Sequence, residues 1–242
     1  MKKKDYYEYW YEKNEKKGFV PREIKSLSIL KKIITRNNRI LDVGCGKGRI
    51  IEELKKVRGT EVFGIDVSRK SVDICKKKGL NVKRADAEKM PFPSSSFEIV
   101  YAGEVIEHLY NPDAFLEESW RVLKERGRLL ITTPNLSNWY NRILFLFGIQ
   151  PVFIETSTKS SMVGAGILKR LKKDSTPIGH IRIFNVQAIK DILELNGFRT
   201  LKLWGSEFEH FPRKIRFLDR FFSLFPRLAS EMIILAEKDN NL

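Results

Sequence analysis

The chain has 242 residues, of which 42% are hydrophobic, and it carries a formal net charge of +15. This apolar content is enough for a packed core, so composition excludes a disordered chain, and the length favours one domain with a lid or a small appendage. No run reaches the ~18 apolar residues of a membrane span. The lysine-rich start is followed by Asp5 and Glu8 rather than by an apolar core, so we expect neither a signal peptide nor a transmembrane segment.

Residues 1–38 are predicted to form a helical cover at the N-terminal end. Five aromatic residues fall within a predicted helix from Asp5 to Lys17, and Pro21 opens a second helix over residues 22–34, where apolar residues recur at helical spacing. Aromatic residues at this density most often pack a terminal segment against the core. A cover over a binding site is the alternative.

From residue 39 the sequence alternates between strands and helices. Strands are predicted at 39–43, 61–66, 81–85, 97–102 and 127–133. Helices are predicted at 47–57, 69–78 and 112–124, with a further helical stretch from about Gly103. This alternation predicts an α/β fold with a doubly wound, mostly parallel sheet.

The alternation stops after Thr133. Residues 134–185 contain three prolines and the basic run 169–173, and we interpret them as a lid or substrate-binding insertion, because a plain connection would be shorter. Asn185 is predicted to cap a helix over 186–196 that ends at Gly197. Strands are predicted at 198–204 and 231–236. Residues 186–242 would thus form the C-terminal half of the sheet.

An aromatic and basic segment, from Phe208 to Arg227, lies between these last two strands. Its pattern predicts an amphipathic helix. Such a helix packs on its own domain, covers a substrate cleft, or lies on an anionic membrane surface as a peripheral contact.

Cysteine usage and net charge bear on location and partners. Cys45 and Cys75 fall in different predicted elements and form no disulfide framework, so we expect a reduced, cytoplasmic protein. An excess of basic residues attracts nucleic acid, anionic lipid head groups or phosphorylated substrates. A lysine-rich surface exposed to solvent explains the positive net charge equally well.

Glycines at alternate positions mark the turn around which the sheet is organised. In Ile40-Leu-Asp-Val-Gly-Cys-Gly-Lys-Gly48 a buried strand runs directly into Gly44, Gly46 and Gly48. Gly44 permits a sharp turn, Gly46 removes a side chain where a ligand lies, and Gly48 lets the next helix approach the sheet.

Two carboxylates indicate which ligand this turn binds. Asp42 stands two residues before the first glycine, where it would repel a pyrophosphate and favours a ligand with a cationic group. Asp66 ends the following strand, where a carboxylate can hold a ribose diol through two hydrogen bonds. The alternative is that the chain is a nicotinamide-dependent enzyme and that this turn binds its cofactor.

This arrangement resembles the nucleotide-binding half of the class I S-adenosylmethionine-dependent methyltransferases, over residues 39–133. The resemblance implies a Rossmann-like seven-stranded sheet and S-adenosyl-L-methionine as the cofactor. It assigns Asp42, Gly44, Cys45, Gly46 and Glu104 to the methionine part of the cofactor, Asp66 to the ribose, and Asp86 and Ala87 to the adenine, with Val67 as a further cofactor-binding residue. A protein that binds this cofactor without transferring its methyl group is a further alternative.

The segment Glu104-Val-Ile-Glu-His108 follows the fourth strand. If it is helical, Glu104, Glu107 and His108 share one face, and two carboxylates with an imidazole suit Mg²⁺ or another divalent metal such as Mn²⁺. This string, the later His180 and Thr133-Pro-Asn135 resemble the ubiquinone-pathway O-methyltransferases and the small-RNA terminal-ribose methyltransferases.

By this resemblance, Glu104, Glu107, His108 and His180 would be metal ligands, with His108 and His180 the catalytic residues. The same string also occurs in relatives with no known metal. The expected reaction is O-methylation of a small-molecule, lipid-linked or glycan hydroxyl. RNA ribose 2′-O-methylation is the alternative, although the sequence carries no separate RNA-binding module.

Overall fold

The computed structural model describes residues 18–170, 176–209, 211 and 213–239. The helix predicted from Asp5 to Lys17 lies outside these residues. The strands are β1 (Arg39–Val43), β2 (Glu61–Asp66), β3 (Asn81–Arg84), β4 (Phe97–Gly103), β5 (Leu123–Pro134), β6 (Phe198–Ser206) and β7 (Glu231–Lys238). The α-helices are α1 (Pro21–Ile33), α2 (Arg49–Leu54), α3 (Arg69–Lys77), α4 (Pro112–Val122), α5 (Trp139–Leu146), α6 (Val186–Leu195) and α7 (Arg216–Phe222).

The strands form one seven-stranded sheet in the order β3-β2-β1-β4-β5-β7-β6. Strand β7 is antiparallel to both of its neighbours, and the pairings among β1 to β5 are parallel. The chain leaves β1 toward β2 on one side and returns to β4 on the other. Open α/β sheets bind ligands outside the carboxyl ends of the strands at such a reversal. The predicted doubly wound sheet is confirmed.

Helices cover both faces of this sheet, so the central strands are apolar on both sides. On one face, Leu116 of α4 and Ile189 of α6 pack with Leu41. On the other face, Leu30 of α1 and Ile51 of α2 pack in one cluster with the neighbouring Ile40. Consecutive residues of β1 thus belong to opposite layers, as the pleat of a strand requires.

Local signals set most helix ends. The side chains of Ser68, Asn111 and Asn185 accept hydrogen bonds from backbone N–H groups in the first turns of α3, α4 and α6. Gly79 and Gly197 follow the ends of α3 and α6 with φ of 68° and 76°. The predicted cap at Asn185 and the predicted stops at both glycines are confirmed.

One expectation about helices was wrong, and one helix was not expected. The helical stretch predicted from Gly103 is a single 3₁₀ turn over Ile106–His108, because Glu104 has φ of 57° and its left-handed backbone prevents an α-helix from starting there. The insertion contains a helix that the sequence did not reveal, α5, whose first turn is capped by Asn138. In the part of the chain that is described, no helix is long and apolar enough to cross a bilayer.

The glycine turn gives a matched pair of stability variants. Gly48 and Gly79 both have left-handed φ values, but a Cβ at Gly48 would lie 2.4 Å from Leu80 Cδ1, whereas a Cβ at Gly79 meets nothing within 4 Å. We expect Gly79→Ala to lower the free energy of unfolding by about 1–2 kcal/mol and Gly48→Ala to cost a further ~1–3 kcal/mol through overpacking. Urea denaturation of both variants measures this. Equal losses would show that Leu80 moves aside without cost.

Candidate active site

A cavity of about 1170 Å³ lies at the carboxyl edge of the sheet. Its walls come from the glycine turn, the ends of β2, β4 and β5, helix α1 and the insertion at 134–185. Ligand sites in proteins usually measure ~300–1,000 Å³. The cavity therefore has room for two small molecules side by side.

The residues assigned to the cofactor all line this cavity: Asp42, Gly44, Cys45, Gly46, Asp66, Val67, Asp86, Ala87 and Glu104. They come from three strand ends and the loop after β3. The structure thus brings all nine residues together at one cavity. The histidines His108 and His180 line the same cavity, whereas Glu107 is buried behind its wall.

The glycine turn is held in place by the end of β2. The N–H groups of Gly44 and Cys45 donate to the carbonyl of Ile65 at 2.9 and 3.0 Å. The Asp66 carboxylate accepts from the Gly46 N–H at 2.8 Å through Oδ2, and from the Ser68 N–H at 2.8 Å through Oδ1. A carboxylate oxygen can accept more than one hydrogen bond. Asp66 can therefore order the turn and still bind a hydroxyl in the cavity.

Asp42 is a buried carboxylate that forms no ion pair with any of the residues that the structure describes. It is 2% exposed, and its Oδ2 has no hydrogen-bond partner among the described residues. Burial, and then the negative charge of Asp66, raise the pKa of the Asp42 carboxyl well above its usual range. A carboxylate in this situation is stabilised by a cation placed in the cavity. This fits S-adenosylmethionine, which carries a sulfonium and an ammonium group.

We expect Asp42→Asn to stabilise the cofactor-free protein and to weaken cofactor binding. The folded-state pKa is raised, so ionisation costs stability, and this cost grows as the pH rises above the unfolded-state value of ~3.9. The variant should gain about 1 kcal/mol in free energy of unfolding at pH 7, a gain that shrinks toward pH 4, and should bind S-adenosylmethionine about fivefold more weakly. Urea denaturation at both pH values and titration calorimetry measure the two effects.

The exposed Asp73 on α3 provides the control, because Asp73→Asn should change neither quantity. A loss of stability in Asp42→Asn at pH 7 would show that the native carboxylate is compensated in the folded protein.

Helix α1 closes one side of the cavity through Arg22. This side chain lies 3.5 Å from Glu104 and 3.1 Å from Glu231, and all three groups are largely buried. Thr132 donates a hydrogen bond to Glu104 at 2.9 Å. Glu104 is thus held toward Arg22 and Thr132. The described part of the N-terminal cover lines the binding site, in agreement with the alternative considered for it.

A second group of polar residues lies where the turn after β4 meets the insertion. Glu107, His108 and His180 each offer a ligand atom, and these atoms all lie within 4.8 Å of one another. The two imidazole rings are 4.9 Å apart. Glu104 lies outside this group, because the expected helical face is not formed. Three of the four predicted metal ligands therefore come together. In the sequence, His108 is 71 residues away from Gly179, which directly precedes His180.

Hydrogen bonds to carbonyls orient both imidazoles. His108 Nδ1 lies 3.0 Å from the carbonyl of Gly179, and His180 Nδ1 lies 3.2 Å from the carbonyl of Phe153. A carbonyl only accepts, so each Nδ1 carries a proton, and in the neutral form of each ring the lone pair lies on Nε2. Burial, and then the proximity of His180, lower the pKa of His108 to about 4. His108 is therefore neutral at pH 7, as a proton acceptor or a metal ligand must be.

Glu107 lies beneath the histidines. Its Oε2 accepts from the Thr133 hydroxyl at 3.1 Å, while Oε1 is buried with no hydrogen-bond partner among the described residues. Burial, and then the charge of Glu104, raise the pKa of Glu107 well above its usual range. A buried, half-satisfied carboxylate beside two imidazoles is a donor set that a divalent cation would fit.

Glu155, in the insertion, positions His180, and sequence reasoning missed it. Its carboxylate accepts backbone N–H groups from Ile178, Gly179 and His180. It therefore holds the loop that brings His180 to His108. A single acid in the apolar run Pro151-Val-Phe-Ile-Glu155 was the signal that could have found it.

The remaining wall of the cavity is mostly apolar, although Gln150, Glu155 and Thr176 also line it. Side chains of the insertion that line it include Trp139, Ile143, Leu144, Val152, Phe153 and Ile178. Phe208 and Phe211, from the segment before α7, join them. One side of the cavity thus presents carboxylates and bare backbone, and the other presents hydrocarbon.

Comparisons with known proteins identify a methyltransferase domain in the chain. The methyltransferase domain family matches residues 41–131. The chain is 32% identical over 106 residues to the ubiquinone biosynthesis O-methyltransferase of Pelagibacter ubique, a match that covers 41% of this chain and 43% of that protein. It is 28% identical over 177 residues to the demethylmenaquinone methyltransferase of Chlorobaculum parvum, covering 72% of this chain and 71% of that protein.

The fold is shared with solved structures. A crystal structure of an S-adenosylmethionine-dependent methyltransferase from Thermotoga maritima matches with a TM-score of 0.59 and 19% identity, covering 90% of this chain and 89% of that one. The chain spans about half the length of the ubiquinone-pathway relatives it matches. The matched residues, 41–131, include the glycine turn, Asp66 and Asp86. Residues 41–131 therefore carry a methyltransferase domain, and the sheet has the fold of S-adenosylmethionine-dependent methyltransferases.

Proposed function

We propose that this protein transfers a methyl group from S-adenosylmethionine to a hydroxyl group of an apolar small molecule. The observation that carries the proposal is the composition of the cavity wall. The predicted cofactor residues lie on one side, an apolar wall from the insertion lies on the other, and the histidine pair lines the same cavity. The named quinone-pathway relatives support a small-molecule acceptor.

The residues on the donor side bind and orient. S-adenosylmethionine supplies an already activated methyl group, so much of the rate comes from holding donor and acceptor in line. Asp42 offsets the positive charge of the donor, and Asp66 orders the Gly46 amide and takes the ribose hydroxyls. Asp86 and Ala87 line the adenine end. The apolar wall contributed by the insertion limits access of water.

The acceptor side removes a proton. When the hydroxyl oxygen bonds to the methyl carbon and the sulfur–methyl bond breaks, the hydroxyl proton must leave. The Nε2 lone pairs of His108 and His180 are suited to take it, because both imidazoles hold their own proton on Nδ1. Glu155 lines the cavity and acts as a positioning residue, since its carboxylate accepts the backbone N–H groups of Ile178, Gly179 and His180.

Transfer of labelled methyl groups tests the proposal. The protein is incubated with methyl-tritiated S-adenosylmethionine and a cell extract, which is then divided into solvent-extractable, water-soluble small-molecule, RNA and protein fractions. We expect the label in the solvent-extractable fraction. Label confined to RNA would support the ribose 2′-O-methyltransferase alternative, and binding of the cofactor with no labelled product would support a non-catalytic role.

A metal-assisted form of the same reaction is favoured by one observation, the grouping of Glu107, His108 and His180. The expectation of Mg²⁺ rested on two carboxylates. The group that forms has two imidazoles and one carboxylate, a set closer to that of catalytic zinc or other transition-metal sites. A bound cation would lower the pKa of the acceptor hydroxyl.

Titration calorimetry with Zn²⁺, Mn²⁺ and Mg²⁺ tests the metal directly and does not depend on activity. We expect binding by the wild-type protein that is lost in Glu107→Gln and in His180→Ala. Absence of binding to the wild type, or equal binding to His180→Ala, would remove the metal from the proposal and leave the histidines as the proton acceptors.

A further inference from the structure

Two neighbouring segments leave large apolar side chains in solvent. At the end of α5, Phe145, Leu146 and Phe147 are 57%, 84% and 75% exposed. In and after α7, Phe217, Phe221 and Leu224 are 66%, 54% and 71% exposed. Soluble monomers rarely leave this much hydrocarbon uncovered without a partner for it. We call residues 142–149 and 214–227 together the apolar face.

The two segments are adjacent in the structure. The indole of Trp139, at the start of α5, donates to Asp219 of α7 at 2.9 Å and stacks on Phe222 with ring centroids 5.1 Å apart. The Arg142 guanidinium donates to the carbonyl of Arg227 at 3.4 Å. The apolar face is therefore formed by two helices that are fixed to each other.

The apolar face adjoins the mouth of the cavity. Ile143 of α5 and Ile215, just before α7, are 45% and 40% exposed, and both also line the cavity. Val163 of the insertion is 46% exposed and lines it as well. A molecule entering between these residues passes along hydrocarbon from the surface to the apolar wall of the site.

The charges on this face have one sign. Residues 139–149 and 213–227 contain a single acid, Asp219, which is fully buried and bonded to Trp139 and Ser230. Exposed cationic residues on the face are Arg142, Lys214, Arg220 and Arg227. Exposed phenylalanines and leucines among cations, without an exposed carboxylate, are typical of a surface that lies in the interface of an anionic bilayer.

A second copy of the chain is a poorer occupant. A two-fold dimer through this face would bring the same cations of both copies together with no carboxylate between them, and like charges at close range repel. Lipid phosphates supply the missing negative charge, and acyl chains supply the apolar surface.

We propose that the protein docks on anionic lipid bilayers through the apolar face, so that the cavity opens toward the membrane and takes a lipid-dissolved acceptor from it. The choice of acceptor rests on the proposed function. Docking itself does not, because it is measured without turnover. Failure of the methyl-transfer assay and failure of vesicle binding are therefore distinguishable.

Vesicle sedimentation tests the proposal. The full chain is mixed with phosphatidylcholine vesicles or with vesicles containing one-third phosphatidylglycerol, at low and at high salt. We expect sedimentation with the anionic vesicles and little with the neutral ones. The double variant Leu146→Ser/Phe221→Ser should lose at least about tenfold in partitioning even at low salt, and Lys214→Glu/Arg220→Glu should lose a similar amount at low salt.

The matched controls are Leu195→Ser, at an 81% exposed leucine on α6, and Lys77→Glu, at an exposed lysine on α3. Both should bind vesicles as the wild type does. All variants should keep wild-type affinity for S-adenosylmethionine, since none of the changed residues lines the cavity, and this shows that they are folded.

Three results would overturn the proposal. The first is no binding of wild-type protein to anionic vesicles. The second is equal loss in the control and face variants, or loss in the charge variant alone together with equally tight binding to poly(U), which would indicate non-specific attraction of polyanions. The third is a dimer in sedimentation velocity that Leu146→Ser/Phe221→Ser dissociates, which would assign the face to a second copy.

Discussion

Replacing His180 by alanine is expected to lower the rate of methyl transfer by about 10²–10⁴-fold, the usual contribution of a general base. The dissociation constant for S-adenosylmethionine should stay within about twofold of the wild-type value, because His180 lies on the acceptor side of the cavity. His108→Ala should give a similar loss. Single-turnover transfer of labelled methyl to the extracted acceptor measures the rate, and calorimetry measures the affinity.

His180→Asn separates a chemical role from a structural one. The Asn side-chain amide can replace the Nδ1 donor that bonds the carbonyl of Phe153, but it provides no group in place of Nε2. If the Nε2 lone pair removes the proton or binds a metal, His180→Asn is as slow as His180→Ala. Recovery of most of the rate by asparagine would instead show that His180 only holds the insertion in place. Tyr110→Phe, at an exposed neighbouring ring, is the control and should leave the rate unchanged.

Replacing Asp66 by alanine is expected to weaken S-adenosylmethionine binding at least about tenfold, or about 1.4 kcal/mol. Two effects add in the same direction. The cofactor loses a carboxylate suited to its ribose hydroxyls, and the Gly46 and Ser68 amides lose the acceptor that fixes the glycine turn. Buried donors left without an acceptor cost ~1–3 kcal/mol each, so the free energy of unfolding should fall as well.

Comparison of two variants isolates the ribose contact. Asp66→Asn keeps an acceptor oxygen for one of the two backbone N–H groups, so it should lose less stability than Asp66→Ala while still binding the cofactor several-fold more weakly. Asp73→Ala, which removes an exposed acid of α3, should bind normally. An unchanged dissociation constant in Asp66→Ala would contradict the assignment of this cavity to S-adenosylmethionine.

The sheet and the donor side could be predicted because their signals are local. The glycine turn, the strand that precedes it and the acid that ends β2 are consecutive features of two short segments, and parallel strands bring their ends to one edge. Asp42, Asp66 and Asp86 line one cavity for that reason. The division of the chain at residues 38, 133 and 185 stays a prediction, as does the role of each cofactor residue.

Features that depend on distant contacts could not be predicted. In the sequence, Arg22 is one basic residue among many. Its place in the site depends on ion pairs with Glu104 and Glu231, which lie far along the chain. Glu104 has a left-handed backbone because it follows the end of β4 and turns back to Thr132, and helical spacing hides this. The α5 helix is short and apolar, and the prolines around it resemble those of an irregular loop.

The bonds from Glu155 to the backbone of residues 178–180 have a consequence for how substrate range can change. They tie one histidine of the pair to the stretch of chain whose side chains form the apolar wall of the cavity, and leave residues 39–133 out of that connection. Exchange of residues 134–185 between relatives would therefore carry acceptor choice and the reach of His180 together as one unit. The methyl donor would be held as before.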